Sequence, residues 1–111
     1  MTTTVIISRD DALRTRALGV RGAEVTWVDD CAGLESALSV PVGRVLVDLN
    51  VEWEQDLVEC IRRCKQHGAP SVIAFLHERA GEIAIRAHLA GADRVIPQTQ
   101  LEDELEVLIG S

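Results

Sequence analysis

The stretch Arg44-Val45-Leu46-Val47-Asp48-Leu49-Asn50 decides the fold. A strand with one wet face alternates apolar and polar residues, because successive side chains point to opposite sides. Val45, Leu46 and Val47 do not alternate, so they fit a strand covered on both faces, the condition met in parallel sheets. A carboxylate follows at once at Asp48, where burial is costly unless the group has a partner or a task. Four more short runs have the same character: Thr4–Ile7, Val25–Val28, Ser71–Phe75 and Arg94–Ile96.

The segments between these runs carry helical patterns. Asp10–Gly19 turns Leu13, Ala17 and Val20 inward, has acids at its start and meets Gly19 or Gly22 at its end. Cys31–Leu38 reads as a short helix capped by Asp29 or Asp30. Glu54–His67 is the longest and stops at Gly68-Ala69-Pro70, Arg79–Leu89 closes at Gly91, and Leu101–Ile109 is the last. Gly22-Ala23-Glu24 and Gly91-Ala92-Asp93 read as turns from helix to strand. Strand and helix alternate five times. The expectation is an α/β, doubly wound, flavodoxin-like (βα)5 fold, with a five-stranded parallel sheet in order 2-1-3-4-5. Residues 1–111 read as one domain.

Composition narrows the partners. The net charge of −7 argues against binding nucleic acid by phosphate neutralisation. No apolar run approaches the roughly 18 residues of a membrane span, and no basic region precedes a long apolar stretch, so a cytoplasmic chain is expected. Its three cysteines, Cys31, Cys60 and Cys64, are then expected as reduced thiols. Cys60, Cys64 and His67 have the helical spacing of metal ligands. However, Leu57, Ile61 and Cys64 form one apolar stripe with Cys60 at its edge, and small core thiols explain the pattern without a metal.

In open parallel sheets, sites form beyond the carboxyl ends of the strands. The residues there are Ser8, Arg9 and Asp10; Asp48, Leu49 and Asn50; Leu76 and His77; and Pro97, Gln98 and Thr99. No glycine-rich phosphate loop follows the first strand, which counts against a small flavodoxin-like ligand binder. His77 has no serine, cysteine or second acid spaced to complete a catalytic set, and reads as a loop histidine.

With these residues in view, the chain resembles the receiver domain of bacterial response regulators. Val45-Leu46-Val47-Asp48-Leu49-Asn50 looks like the family's phospho-acceptor segment. Gly91-Ala92-Asp93-Arg94-Val95-Ile96-Pro97-Gln98-Thr99 looks like its Gly-Ala-Asp-Asp-Tyr-Leu-x-Lys-Pro segment, and Asp10-Asp11-Ala12-Leu13-Arg14 like the start of its first helix. The resemblance spans essentially the whole chain and implies that Asp48 stands at the phospho-acceptor position.

The departures then carry the functional reading. Where the family keeps its acidic metal-binding pair, this chain has Ser8 and Arg9, with acids next at Asp10 and Asp11. A guanidinium cannot ligate magnesium. Leu76 stands at the Thr or Ser position, Gln98 at the lysine position, Val95 at the aromatic position, and Val51-Glu52-Trp53 at the Met-Pro-Gly loop. The chain's one lysine is Lys65, in the third helix, and it has no tyrosine. Phosphoryl transfer rests on positioning and charge neutralisation, and those parts are replaced. The resemblance therefore implies a degenerate pseudo-receiver: a non-catalytic, phosphorylation-independent interaction module in bacterial signalling, with no cofactor. Its partner would be a protein or a second copy of itself. The alternative is an atypical phospho-acceptor in a two-component phosphorelay, phosphorylated on Asp48, with Mg2+ as cofactor or Arg9 as counter-charge.

Three structural expectations complete the reading. Arg9 and Asp48, at adjacent strand ends, should form an ion pair. The family's signalling face implies a partner surface at Ile83, Arg86, Ala87, Val95, Gln98 and Leu101, to which Trp53 is added as a hot-spot residue or a cover for the pocket. A final helix of about nine residues should leave part of its neighbour's apolar face uncovered.

Overall fold

The computed structural model describes residues 3–20, 22, 24–29, 33–39, 42–50, 54–69, 71–76 and 81–110. In chain order these form β1 (Thr3–Ile7), α1 (Asp11–Leu18), β2 (Val25–Val28), α2 (Leu34–Ala37), β3 (Val42–Asp48), α3 (Glu54–Gln66), β4 (Val72–Leu76), α4 (Gly81–Ala90), β5 (Arg94–Pro97) and α5 (Gln98–Gly110). All strand pairs are parallel, in the order β2-β1-β3-β4-β5. The flavodoxin-like expectation holds in both topology and order.

The unbroken apolar runs are explained by the two layers they serve. Val5, Ile7, Val45, Val47, Val72 and Ala74 point to one face, where they meet Leu57, Ile61 and Cys64 of α3 and Ile83 and Ala87 of α4. The intervening Ile6, Leu46, Ile73, Phe75 and Ile96 point to the other, against Leu13 and Ala17 of α1 and Leu101, Leu105, Leu108 and Ile109 of α5. Alternate residues thus feed opposite cores, which is why these runs show no alternation of apolar and polar residues.

The helix termini show how local chemistry fixes the strand ends. Asp10 is the N-cap of α1, its side chain accepting from Leu13 N–H at 3.1 Å. Arg44, on β3, donates to the Leu108 carbonyl in the last turn of α5, so a cation meets the negative end of that helix. Gly91 closes α4 with a φ of +117°, a conformation that suits glycine and leads straight into β5.

Several boundaries differ from the sequence reading. The last helix has 13 residues rather than about nine, beginning at Gln98 immediately after Pro97. Its apolar residues at 101, 105, 108 and 109 cover the α1 side of the sheet, so no uncovered face results from a short helix. Helix α2 has Gly33 at its N-cap without a side-chain bond, and Asp29 instead accepts from the Trp27 indole N–H at 3.2 Å. Cysteine chemistry also differs: Cys60 is disulfide-bonded, while Cys64, one turn on, is a buried free thiol. The expectation of three reduced thiols is corrected accordingly. Cys31, Asp30, Trp53, His77 and Arg79 lie outside the described residues.

Candidate functional site

The site at the carboxyl ends of the strands is built from three buried polar side chains. Ser8 follows β1 and has no exposed surface, Asp48 ends β3 at 2% exposure, and Gln98 opens α5 at 3%. Buried groups of this kind are tolerable only when hydrogen-bonded. All three are. Ser8 Oγ donates to Asp48 Oδ2 at 2.6 Å, a charge-assisted bond. The same Ser8 oxygen accepts from the Asp10 backbone N–H at 3.1 Å. The other Asp48 oxygen, Oδ1, accepts from Asn50 N–H at 2.8 Å.

Gln98 joins the two ends of this chain. Its Nε2 donates to Asp10 Oδ2 at 3.2 Å, and its Oε1 accepts from Asn50 Nδ2 at 2.8 Å. The result is a closed ring through Asp48, Ser8, Asp10, Gln98 and Asn50. It ties the ends of β1 and β3 to the N-cap of α1 and the first residue of α5, reaching past the end of β4. Asp10 serves twice, since its second oxygen caps α1.

Sequence reasoning singled out Ser8, Asp48, Asp10 and Gln98, and the structure brings all four into the ring. It missed the role of Asn50, although its position two residues after a strand-end aspartate is the spacing of an Asx turn. Arg9 is placed elsewhere. The Arg9–Asp48 ion pair does not form: Arg9 is exposed and its Nε donates to the Asp29 carbonyl at 3.1 Å, while Asp48 is held by Ser8 and Asn50. The reason is strand geometry, because side chains of consecutive residues diverge and burying Ser8 turns Arg9 outward. Leu76 is buried within the α3–α4 core and takes no part in the polar ring.

The expected partner surface needs the same kind of correction. Ile83 and Ala87 of α4 and Leu101 of α5 are core residues, at 6%, 0% and 0% exposure. Gln98 is buried in the ring, and Val95 is half-buried against the α3–α4 core. Arg86 remains exposed, paired with Glu82 at 3.1 Å. The apolar side chains that α4 and α5 do show to solvent are Ile85, Leu89 and Val107. The inward stripe of α4 runs through 83, 87 and 90, so the outward one falls on 85 and 89.

A divalent cation does not suit this donor set. Among the described residues no group of three or more His, Cys, Asp or Glu side chains converges. Each of the four carboxylate oxygens of Asp10 and Asp48 already accepts a hydrogen bond. Two carboxylates that already anchor the ring offer too few convergent hard oxygens for such a cation. Cys60, Cys64 and His67 likewise make no metal site, since Cys60 is disulfide-bonded and His67 is exposed.

The fold is that of response-regulator receiver domains. The chain is similar to the receiver domain of the TMAO respiratory system response regulator TorR, with a TM-score of 0.79 at 18% identity, covering 97% of this chain and 96% of that one. It is similar to a response regulator from Thermotoga maritima, with a TM-score of 0.72 at 22% identity over 100% and 99% of the two chains. It also matches the phosphorylated cyanobacterial phytochrome response regulator RcpA, with a TM-score of 0.74 at 13% identity over 98% and 89%. No family model and no curated protein matches the sequence.

Proposed function

We propose that this domain is a phosphorylation-independent interaction module of the receiver type, serving bacterial two-component signalling and performing no catalysis of its own. The observation that carries this reading is the state of Asp48. Its carboxylate is buried and both oxygens are engaged, by a serine hydroxyl and by the Asn50 N–H. A phosphoryl group would add negative charge at this point. The nearby residues offer no ammonium to meet it, because the lysine position of the resemblance is Gln98 and the chain's lysine pairs with Asp93. Charge neutralisation is what phosphoryl transfer most depends on. With the pocket closed on itself, the remaining use is recognition of a protein partner or a second copy, without a cofactor.

The second reading is an atypical phospho-acceptor using Asp48 and Mg2+, and what favours it is the shared fold with the phosphorylated regulator RcpA. An amide-resolved NMR titration separates the two. Magnesium and then beryllium fluoride, a phosphoryl mimic, should leave Ser8, Asp48, Asn50 and Gln98 unshifted. Saturable shifts centred on those four residues would replace the first reading with the second.

A further inference from the structure

We infer that Gln98 is a positioning residue: its side-chain amide closes the hydrogen-bond ring and thereby holds the start of α5 in one register against the ends of β1 and β3. The inference deepens the reading of the Asp48 pocket as closed, and rests on it. Three observations carry it. Gln98 is the first residue of α5 and is buried, so its amide cannot exchange a lost partner for water. Its two ends are used in opposite senses, Nε2 as donor to Asp10 and Oε1 as acceptor from Asn50. Its two partners are each already committed to a second element, Asp10 to the N-terminus of α1 and Asn50 to Asp48 at the end of β3.

A residue with those properties does more than fill space. Neither a carboxylate nor an ammonium can replace it, because a glutamate would lose the bond to Asp10 and a lysine the bond from Asn50. Satisfied networks of this kind rigidify and specify one arrangement, and a break in one link is felt by the others. Gln98 thus fixes the β5–α5 junction from within the pocket. The outer surface of α5, with exposed Val107, is held in a single position relative to the sheet.

Amide hydrogen exchange on the intact chain tests the inference, with Gln98→Leu to remove both links and Gln98→Glu to remove one at constant shape. The expected result is exchange at least about tenfold faster at Asp10, Leu13 and Asn50 in both variants, with core amides such as Ile6 and Leu46 unchanged. Faster exchange confined to residues 98–101, or a uniform rise across the sheet, overturns it; the first means a local role and the second simple loss of stability. A double-mutant cycle gives a second readout. Ser8 and Gln98 share no hydrogen bond, so Ser8→Ala and Gln98→Leu should combine non-additively, by about threefold or more in the unfolding constant, if the ring couples them. Additivity overturns the coupling. Beryllium fluoride shifts at Asp48 would defeat the closed-pocket reading on their own, whatever the exchange pattern around Gln98.

Discussion

Lys65 and Asp93 join the end of α3 to the start of β5. The Lys65 ammonium lies 3.2 Å from Asp93 Oδ2, and that same carboxylate oxygen accepts from Val72 N–H at 2.8 Å, pinning the first residue of β4. The stem of Lys65 lies over Gly91, where an added Cβ would come within 2.7 Å of Lys65 Cγ. One lysine and one aspartate therefore clamp α3, β4 and the α4–β5 turn together.

Gly91→Ala should destabilise the fold by about 1–3 kcal/mol, read as a lower urea midpoint at unchanged slope. Two causes combine, the φ of +117° and the contact with the Lys65 stem. Lys65→Ala in the Gly91→Ala background should recover part of the loss, because it removes the contact but leaves the backbone strain. Recovery of the whole loss would mean that strain contributes nothing.

Asp93 gives the acid side of the stability profile a specific origin. The Val72 N–H, and secondarily Lys65, hold its carboxyl below the ordinary value of 3.8. A carboxyl with a depressed folded-state pKa contributes its full stabilisation above the unfolded pKa and loses it as pH falls towards the folded one. Asp93→Asn should therefore flatten the loss of stability below about pH 4 relative to the parent chain. The side chain is 44% exposed, so the change should be modest and should shrink further in salt. Identical acid limbs in the two proteins would exclude Asp93 as a contributor.

How much of this was legible in the sequence depends on which physical signal each feature leaves. Val45-Leu46-Val47 announced a doubly covered strand because burial on both faces removes alternation, while the sheet order came with the flavodoxin-like class that the five strand–helix alternations indicate. Asp48 was visible as a carboxylate at the end of such a strand. The ring was not visible, because Ser8 and Asn50 are common turn residues, and only their approach to Asp48 gives them a role. The α5 start at Gln98 was missed because Pro97 ends β5 with no intervening loop. The α4 surface was misjudged because the family's face was mapped by analogy, while the helix phase puts Ile83 and Ala87 inward.

Ser8 and Arg9 offer a paired test of which neighbour holds Asp48. Ser8→Ala leaves a buried carboxylate oxygen without its hydroxyl donor and removes the acceptor for Asp10 N–H, and should cost about 1–3 kcal/mol. Arg9→Ala removes an exposed side chain that bonds the Asp29 carbonyl, and should cost under about 1 kcal/mol. Chemical denaturation of the two variants decides the matter. A larger loss for Arg9→Ala than for Ser8→Ala would reverse that ranking.

Cys64 is poised to report unfolding by its chemistry. Desolvation pushes its thiol up to about 12, against an ordinary value of 9.0. The thiolate is the nucleophile, so a buried thiol held protonated should resist alkylation at pH 8 in the folded chain. Of the two described cysteines, unfolding without reductant should make Cys64 reactive, and adding reductant should make Cys60 reactive as well, since Cys60 is disulfide-bonded. Intact mass after iodoacetamide treatment counts them. The same shift sets an alkaline limit. A group whose folded-state pKa is raised contributes stability fully below its unfolded value and loses it as pH climbs towards the folded one. Stability should thus fall between about pH 9 and 12, and Cys64→Ala, whatever its core cost, should lack that part of the slope. A variant with an undiminished alkaline slope would assign it to other groups, and rapid alkylation of the native chain at pH 8 would show that Cys64 is not sealed in the α3 core.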